Sequence, residues 1–382
     1  MKLNYALVHE WLTPEATGGS ELVVQEILKY VDADLYALID FESTNPESYL
    51  FKRHIGTTFL QHFPLARKGV QKYLPLLPIA IEQLDLRGYD VILSSSHAVA
   101  KGVLTGPDQL HICYCYTPMR YAWDLTFDYL NNSRAGQGLP GILTRYLMHP
   151  LRQWDTISAN RVDYFIAISK IVAKRIWRCY RREAVVIYPP VDTARFPLQP
   201  EKQDFYLTVS RLVSYKKVDL IVEAFNDLKR PLIVIGNGPE LPRLRQLAND
   251  NVQILGWQPN SAVEDYMANA KAFVYAAYED FGIAPVEAQA CGTPVIALGA
   301  GGTLETVRDF NRHPDFSTGV LFPVQSKVSL IEAVEHFEAN HSAFHPDQIR
   351  IHANSFDREV FKEKYLAFLE HCCEEFWSRT SN

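Results

Sequence analysis

The stretch that decides the fold is Ala272-Phe273-Val274-Tyr275-Ala276-Ala277, followed after Tyr278 by Glu279-Asp280-Phe281-Gly282-Ile283-Ala284-Pro285-Val286-Glu287. The first part is a short apolar run, which predicts a buried parallel strand. Pro285 suits the first turn of a following helix, so Glu279 should lie at the carboxyl end of the strand. The stretch therefore predicts a strand, a turn and a helix, the unit of an α/β fold.

The turn between strand and helix has the features of a ligand site. Gly282 would let a ligand approach the backbone closely, and the amides of Phe281, Gly282 and Ile283 near the helix start would attract phosphate. A carboxylate accepts two hydroxyl hydrogen bonds, so Glu279 and Glu287 suit a sugar and the ribose of a nucleotide. An ordinary surface loop before a helix would also fit paired glutamates.

Length and charge narrow the class of protein. At 382 residues with 47% hydrophobic content, the chain predicts two globular domains. The net charge is −6, divided between +2 for residues 1–190 and −8 for the rest. This asymmetry argues against general nucleic-acid binding and favours two halves with different partners.

The cellular location is predicted to be cytoplasmic. The six cysteines lack the paired spacing of a zinc site and are expected to be reduced thiols. Residues 2–8 lead into a strand pattern rather than a secretory signal, and no apolar run is long enough to span a membrane.

Strand and helix patterns alternate along the chain in two series. Pro189-Pro190-Val191-Asp192 interrupts the alternation and marks a domain boundary. The predicted strands are residues 3–8, 35–39, 91–94, 111–115, 164–167 and 185–188, then 205–209, 232–235, 252–255, 272–277 and 294–297. Such alternation predicts two parallel sheets covered by helices, with ligands bound where the carboxyl ends of the strands face a cleft.

Other candidate ligand residues follow strands of the second series. Arg211 and Lys216 come after residues 205–209 and could bracket a diphosphate, although a solvated basic loop would have the same composition. Glycines at three further strand ends would let the backbone approach a phosphate closely: Gly18 and Gly19 in the first domain, Gly238 in the second, and Gly301 and Gly302 also in the second. At Gly238 a tight connection would fit equally.

Taken together, these motifs resemble retaining glycosyltransferases of the GT-B type in family four, also called glycosyl transferases group 1, including bacterial GDP-mannose-dependent mannosyltransferases of surface polysaccharide synthesis. The resemblance covers nearly the whole chain. It rests on Thr17-Gly18-Gly19-Ser20-Glu21, Tyr116-Thr117-Pro118-Met119-Arg120-Tyr121-Ala122-Trp123-Asp124, Tyr188-Pro189-Pro190-Val191-Asp192, Arg211 with Lys216, Glu279 to Glu287, and Cys291-Gly292-Thr293-Pro294-Val295-Ile296.

The resemblance implies a fold and a set of roles. It implies two Rossmann-like domains, residues 1–188 for the acceptor and 189–355 for the nucleotide sugar, with a terminal segment 356–382 that returns to the first domain. Arg211 and Lys216 would hold the diphosphate, Glu279 the transferred sugar and Glu287 the ribose. The donor would be a nucleotide sugar, GDP-mannose or a UDP-sugar, with no bound cofactor.

One position departs from the family pattern. Many relatives have an acceptor-side histidine where this chain has Tyr116, and a tyrosine is a poor base near neutral pH. His9 and His97 lie at other predicted strand ends and are candidates for the acceptor side, together with Arg120, although a lone histidine is often structural.

The predicted mechanism is a metal-independent transfer on one face of the sugar. No carboxylate stands out as a nucleophile for double displacement, so the leaving diphosphate, neutralised by Arg211 and Lys216, would take the acceptor proton. Asp32-Ala33-Asp34 has the acidic spacing of metal-dependent transferases but is interpreted as a solvated turn before the second strand.

Other classes fit less well. A nicotinamide-dependent oxidoreductase should have a Gly-x-Gly-x-x-Gly turn after the first strand, which is missing. A sugar-nucleotide epimerase would share the architecture and would isomerise the donor without an acceptor. A non-catalytic sugar-binding protein would not need both the cations and the carboxylates.

Two basic stretches of the sequence indicate what kind of acceptor or surface the protein contacts. Residues 134–182 are rich in Lys, Arg and aromatics, with Asp155 and Asp163 as their only acids, and residues 51–81 contain no acid. Such composition suits a lipid-linked saccharide acceptor or peripheral contact with the anionic inner face of the cytoplasmic membrane, although a charged helix exterior is the ordinary alternative.

Overall fold

The computed structural model describes residues 3–14, 18–124, 126–127 and 138–380. The chain divides into two compact units, one formed by Met1–Tyr188 with Lys362–Asn382 and the other by Pro189–Phe361. Each unit is built on its own parallel sheet.

The first unit contains a seven-stranded sheet among its described residues. Its strands are β1 (Tyr5–His9), β2 (Ala33–Ala37), β3 (Ile55–Thr57), β4 (Val91–Ser96), β5 (Leu110–Cys115), β6 (Tyr164–Ala167) and β7 (Ala184–Val186). They lie in the order β3-β2-β1-β4-β5-β6-β7, and all neighbours pair in parallel. Because β1 is central, the chain winds outward in both directions, and the carboxyl ends of all strands lie at one edge.

Helices cover this sheet. They are α1 (Gly19–Tyr30), α2 (Ala66–Gly69), α3 (Leu77–Ile81), α4 (Gly138–Ser158) and α5 (Lys170–Tyr180), with 3₁₀ turns at Phe59–His62, Val70–Leu76, Ala100–Gly102 and Ala159–Arg161. Every residue of β4 and β5 is buried, as expected for strands covered on both faces.

The second unit repeats this plan. Its strands are β8 (Tyr206–Val209), β9 (Leu232–Ile235), β10 (Val252–Gly256), β11 (Ala272–Tyr275), β12 (Val295–Leu298) and β13 (Gly319–Phe322). Its parallel sheet has the order β10-β9-β8-β11-β12-β13 over the described residues, with β8 again central.

Helices of the second unit follow its strands. They are α6 (Val218–Leu228), α7 (Leu241–Leu247), α8 (Asn260–Asn269), α9 (Ile283–Ala290), α10 (Thr303–Thr306), α11 (Lys327–Ala339) and α12 (Pro346–Ala353), with 3₁₀ turns at Thr193–Arg195, Ser214–Lys216, Pro314–Phe316, His341–Ala343 and Asn354–Phe356. Tyr206, Phe225 and Phe337 are fully buried together, with ring centroids 5.0 and 6.3 Å from that of Tyr206.

The last helix, α13 (Arg358–Thr380), begins in the second unit and continues in the first. At its start, Arg358 pairs with Asp192 at 2.7 Å. Further along, the hydroxyl of Tyr164 donates to Glu375 at 2.8 Å, within the first unit. The burial of Tyr365 in that unit follows from the same packing.

The predicted α/β architecture with two doubly wound sheets is confirmed, and the predicted strands agree with the observed ones to within a few residues. Two strands, β3 and β13, were missed. The interpretation of Asp32 to Asp34 as a turn was wrong at Ala33 and Asp34, which lie within β2. β3 has only three residues, too few for a periodic pattern to be recognised.

Candidate active site

The carboxyl edge of the second sheet brings a lysine, a glutamate and a tyrosine into direct contact. Lys216 follows β8, whereas Tyr275 ends β11 and Glu279 follows it. Nζ of Lys216 forms an ion pair with Oε1 of Glu279, and the Tyr275 hydroxyl donates to Oε2 of the same carboxylate. Nζ of Lys216 also donates to the Tyr275 hydroxyl oxygen at 3.2 Å. The predicted site residues Lys216 and Glu279 are thus in direct contact. Tyr275, which the sequence did not indicate, belongs to the same hydrogen-bonded group.

Glycines fix the main chain beside this group. The amide of Gly302 donates to the Glu279 carbonyl at 2.8 Å, and Gly301 pairs with Glu279 as an isolated parallel bridge. A Cβ on Gly301, which has φ of +75°, would lie 2.3 Å from the Glu279 carbonyl oxygen. The close approach at Gly301 is therefore to the protein's own backbone, whereas the sequence had predicted an approach to phosphate.

Gly238, in the loop after β9, likewise lies close to the protein's own backbone. Its φ is +158°, and a Cβ there would lie 2.3 Å from the carbonyl oxygen of Leu212. The amide of Leu212 in turn donates to the Asn237 carbonyl at 2.9 Å. Gly238 thus joins its loop to the segment that carries Arg211 and Lys216.

Arg211 differs from Lys216 in having no partner. It is exposed, and its guanidinium makes no hydrogen bond or ion pair with any other residue that the structure describes. Because the guanidinium presents several donors in a fixed fork, an exposed Arg211 beside the Lys216 loop is available to an anion.

The start of α9 also offers free donors. Gly282 is the N-cap, in a left-handed conformation with φ of +87°, and no side chain caps the helix. Within the described chain, the amides of Gly282 and Ile283 have no hydrogen-bond acceptor. Phe281, also predicted for the site, is buried against Phe356.

Glu287 lies on α9 as a partly buried carboxylate without a hydrogen-bond partner in the described part of the chain. Burial raises the pKa of Glu287 to about 7, which Arg195 opposes and Glu264 reinforces. Arg195 cannot neutralise Glu287 fully because it is paired with Glu264 at 2.5 Å. The carboxylate therefore gains from any ligand that donates hydroxyl hydrogens to it.

In the first unit, a hydrogen-bonded chain connects two of the predicted acceptor-side residues. Nδ1 of His9 lies 3.2 Å from the Ser95 carbonyl oxygen and 3.0 Å from its hydroxyl oxygen. The Ser95 hydroxyl is 2.9 Å from that of Tyr116, which donates to the Ser20 carbonyl at 3.1 Å. Since carbonyl oxygens only accept, Nδ1 of His9 carries a proton and the Ser95 hydroxyl donates to Tyr116.

The other nitrogen of His9 faces Glu21. Nε2 of His9 is buried and lies 3.7 Å from Oε1 of Glu21. Oε2 of Glu21 accepts from the Gly18 amide at 2.8 Å and from the Ser20 hydroxyl at 2.9 Å. Burial opposes ionisation of Glu21, but His9 and Ser20 keep its pKa below the usual value. The predicted phosphate donor Gly18 is thus already bonded to a carboxylate, and Thr17 lies outside the described residues.

His97 sits beside a buried anion, Glu10. This carboxylate is fully buried and accepts from the amides of residues 97, 98, 99 and 100 at 2.7–3.1 Å, and from the Ser96 hydroxyl at 3.0 Å. Burial alone would raise the pKa of Glu10, but His97 and these amides lower it. Burial lowers the pKa of His97 despite the attraction of Glu10. Glu10 therefore fixes the loop that carries His97.

Three of the four acceptor-side candidates, His9, His97 and Tyr116, lie close together, whereas Arg120 is held elsewhere. The rings of His97 and Tyr116 are 6.2 Å apart, and those of His97 and His9 are 6.3 Å apart. Arg120 is instead held near Asp124 at 3.4 Å, which Arg175 also approaches at 3.4 Å. Tyr116 is buried, and burial raises its pKa well above the usual value, so its hydroxyl stays protonated.

Asp32 and Asp34 lie away from these residues. They line a groove of about 760 Å³ beside the starts of β1, β2 and β4, the edge opposite the carboxyl ends. Asp34 accepts from the Tyr89 hydroxyl at 2.7 Å. In the described residues, no group of three or more acidic, histidine or cysteine side chains is arranged to hold a metal ion.

Sequence reasoning assigned no role to Tyr275, Glu10, Glu21 or Ser95, although Glu21 ends the motif that begins at Thr17. Tyr275 lies in the apolar run quoted first, where it counts as a strand residue, and its spacing of four from Glu279 was the available signal. Glu10 and Ser95 adjoin strand ends, but only the parallel pairing of β1 with β4 brings them together.

Two doubly wound parallel sheets in succession are the fold of the GT-B class of glycosyltransferases. Two family models match the chain in succession, Glycosyltransferase Family 4 over residues 17–195 and Glycosyl transferases group 1 over residues 191–354. Together the two matches run from residue 17 to residue 354, so the chain belongs to this glycosyltransferase family, and the predicted family is confirmed.

Individual relatives agree with the family. Alpha-1,3/1,6-mannosyltransferase ALG2 of Kluyveromyces lactis is 25% identical over 70% of this chain and 62% of its own length. The GDP-mannose-dependent alpha-(1-6)-phosphatidylinositol monomannoside mannosyltransferase of Mycolicibacterium smegmatis is 28% identical over 39% of this chain and 48% of its own. The chain thus spans less than two thirds of the length of these relatives.

A solved structure supports the fold. HepE of Anabaena, crystallised with UDP, superimposes with a TM-score of 0.70 at 17% identity and covers 96% of this chain and 100% of its own.

Proposed function

We propose that this protein is a retaining hexosyltransferase that moves mannose from GDP-mannose to a saccharide or lipid-linked saccharide acceptor without a metal ion. The observation that carries the proposal is the contact of Lys216 with Glu279 at the carboxyl edge of the second sheet, five residues after an exposed Arg211 that has no partner among the described residues. Cations for a diphosphate and a carboxylate for sugar hydroxyls lie together there, as transfer from a nucleotide sugar requires.

The donor would be held in three parts. Arg211 and the remaining N–H of Lys216 bind the diphosphate, assisted by the amides of Gly282 and Ile283. Glu279 accepts hydrogen bonds from the transferred sugar, and Glu287 accepts them from the ribose.

The choice of mannose and guanine rests on relatives. The mycobacterial relative uses GDP-mannose and the yeast relative transfers mannose, as their names state. A UDP-sugar is the alternative donor, since the sequence motifs favour neither guanine nor uracil.

A panel of nucleotides tests the donor. Ligands that bind only the folded protein raise its apparent melting temperature. We expect GDP and GDP-mannose to raise it more than UDP and UDP-glucose do, and a larger shift with the UDP compounds would replace GDP-mannose as the donor. No shift with any nucleotide diphosphate would contradict the proposed function.

The reaction would proceed on one face of the sugar. Glu279 is bonded through both carboxylate oxygens, one to Lys216 and one to Tyr275, which suits orientation of the sugar rather than attack on its anomeric carbon. The bond between the sugar and the diphosphate breaks while the acceptor oxygen bonds to the same face, and the leaving phosphate takes the acceptor proton. Arg211 and Lys216 stabilise the charge on the leaving group.

Product analysis tests the stereochemistry and the role of metal. We expect the anomeric configuration of the donor to be kept, as judged by NMR of the product, and transfer to survive excess chelator. Inversion would exclude the retaining assignment, and activity restored specifically by manganese or magnesium would exclude the metal-independent one. Isomerised donor in the absence of acceptor would indicate an epimerase instead.

The acceptor would bind at the first sheet, near the hydrogen-bonded pair His9 and Tyr116 and the adjacent ring of His97, with Arg120 held separately by Asp124. The neutral hydroxyl of Tyr116 suits a hydrogen bond to a saccharide better than proton abstraction. This agrees with a mechanism in which the phosphate is the base.

An exposed basic face on α5 supports contact with an anionic membrane. Three cations and a tryptophan lie on it with helical spacing, and a fourth cation follows at the C-cap: Lys170, Lys174, Trp177, Arg178 and then Arg181, all exposed. Cations attract anionic headgroups, and tryptophan prefers the membrane interface. Among the described residues, no helix combines the length and apolarity needed to cross a bilayer. Residues 134–137 of the predicted stretch lie outside the described residues.

Liposome flotation tests this surface. We expect binding to vesicles with anionic lipid, weaker binding to neutral vesicles, and loss of binding in Trp177→Ala. Trp257→Ala is the matched control, since Trp257 is exposed in the second unit. Equal failure to bind anionic and neutral vesicles would contradict the membrane contact.

A further inference from the structure

Tyr275 is a buried tyrosine whose hydroxyl lies between the two charged members of the candidate donor site. Its side chain is 3% exposed, and it ends β11 four residues before Glu279. The hydroxyl donates to Oε2 of Glu279 and accepts from Nζ of Lys216 at 3.2 Å. Burial and the adjacent Glu279 raise the pKa of Tyr275 well above its usual value, so the hydroxyl remains a neutral donor.

Lys216 and Glu279 do not use all their hydrogen-bonding positions within the protein, so some remain for a ligand. Lys216 has three N–H donors, of which one is directed to Glu279 and one to Tyr275. The third is available to a phosphate oxygen. Each oxygen of Glu279 accepts one of these protein hydrogen bonds and has a second lone pair for a sugar hydroxyl.

A diphosphate bound at Nζ of Lys216 would compete with Glu279 for the charge of the ammonium group. When an anion binds Nζ of Lys216, the attraction between Lys216 and Oε1 of Glu279 weakens because the ammonium is shared. The main chain of Glu279 stays fixed through Gly301 and Gly302, so its side chain has only its own torsions left to vary. The bond from Tyr275 to Oε2 does not involve the phosphate and persists.

We infer that Tyr275 is a positioning residue, which holds the Glu279 carboxylate toward the transferred sugar while Lys216 is engaged by the diphosphate of the donor. This inference rests on the proposed function. It assigns Tyr275 to the sugar half of the donor site rather than to the nucleotide half.

The test compares a nucleotide diphosphate with the matching nucleotide sugar. Calorimetric titrations of wild type and Tyr275→Phe with GDP and GDP-mannose, or with UDP and UDP-glucose if these bind instead, separate the two halves. We expect Tyr275→Phe to bind the diphosphate within about twofold of wild type and the nucleotide sugar about tenfold more weakly, the usual effect of losing one hydrogen bond to a charged group.

Two controls exclude a merely structural effect. Tyr206→Phe removes an equivalent bond, from a buried tyrosine to Glu338 at 2.9 Å, in the same unit, and should leave both affinities unchanged. In the background of Glu279→Ala, Tyr275→Phe should cause no further loss of nucleotide-sugar affinity, because it acts through Glu279.

Equal losses for both ligands, or no loss for either, would overturn the inference while the proposed function stands. A wild-type protein that binds no nucleotide diphosphate would overturn both.

Discussion

The side chains of His9 and Tyr116 are bridged by a single hydroxyl group, that of Ser95, which lies 3.0 Å from Nδ1 of His9 and 2.9 Å from the Tyr116 oxygen. The bridge joins the ends of β1, β4 and β5, and Tyr116 extends it to Ser20 at the start of α1. The positions of His9, Tyr116 and the first turn of α1 therefore depend on one another.

Removing the bridge should weaken both stability and acceptor binding. Ser95→Ala leaves buried polar groups on His9 and Tyr116 without this partner, and we expect about 1–3 kcal/mol less free energy of unfolding in urea titrations. The KM for acceptor should rise, whereas that for donor should not. Ser94→Ala is the matched control, because the Ser94 hydroxyl bonds buried His111 at 2.8 Å instead. The same rise in acceptor KM for Ser94→Ala would argue against a specific role of the bridge.

Glu10→Gln should be among the most destabilising single substitutions in the first unit. A glutamine has one acceptor oxygen, and its NH₂ group would face backbone amides that also donate, so we expect a loss of about 3–5 kcal/mol in denaturant unfolding. Exposed Glu47→Gln serves as the control. Wild-type stability in Glu10→Gln would mean that the amides around residues 97–100 find other acceptors.

The pH dependence of Glu10 has a defined sign. Because the folded protein lowers its pKa, the ionised carboxylate stabilises the fold above the ordinary value near 4.5, and this stability is lost as the pH falls below it. Acid unfolding of wild type should therefore be steeper than that of Glu10→Gln.

Arg211→Ala should impair transfer without unfolding the protein. Arg211 has no partner among the described residues, so the fold loses nothing, whereas the leaving diphosphate loses a donor and turnover should fall by about 10² to 10³. Arg243→Ala is the matched control, since it removes an exposed arginine that pairs with Asp219 on the same unit. Steady-state kinetics that remain near normal in a folded Arg211→Ala would exclude the phosphate role.

Glu287→Gln should stabilise the protein while weakening the donor site. Burial raises the pKa of Glu287 to about 7, so the folded protein favours the neutral form and loses stability as the pH rises from about 4.5 to about 7. We expect Glu287→Gln to melt a few degrees higher than wild type at pH 8 and at the same temperature at pH 4. Calorimetric titration with the nucleotide diphosphate should show weaker binding by the variant at pH 8.

In the wild type, affinity for the nucleotide diphosphate should fall as the pH drops from 8 to 6, because Glu287 becomes protonated and accepts ribose hydrogens less well. The affinity of Glu287→Gln should fall less over that range, because only the terminal phosphate of the ligand, with a second pKa of about 6, then titrates. A wild type as insensitive to pH as the variant would remove Glu287 from the ribose site.

For the glycine loops, the sequence predicted the positions of the glycines but not their contacts. It located Gly238, Gly301 and Gly302 correctly at the carboxyl ends of strands, because apolar runs followed by glycine mark such turns. It assigned their close contacts to a ligand, whereas the contacts observed are with Leu212, Glu279 and Phe281 of the same unit. A glycine in a single sequence indicates that some group lies close to the backbone, but it does not tell whether that group is a ligand or another part of the protein.

Strand periodicity and motif spacing by themselves determined the α/β class, the two sheets, the family, and the position of Glu279 and Lys216 at strand ends, because these depend on residues close together in the chain. Only the tertiary structure decided that Tyr275 bonds both of them, that Ser95 bridges His9 to Tyr116, and that Glu10 accepts from the amides before Lys101. Except for the bond between Tyr275 and Glu279, which both lie at the end of β11, these contacts join the ends of different parallel strands. Which ends meet is set by the order of strands in the sheet, which no local pattern records.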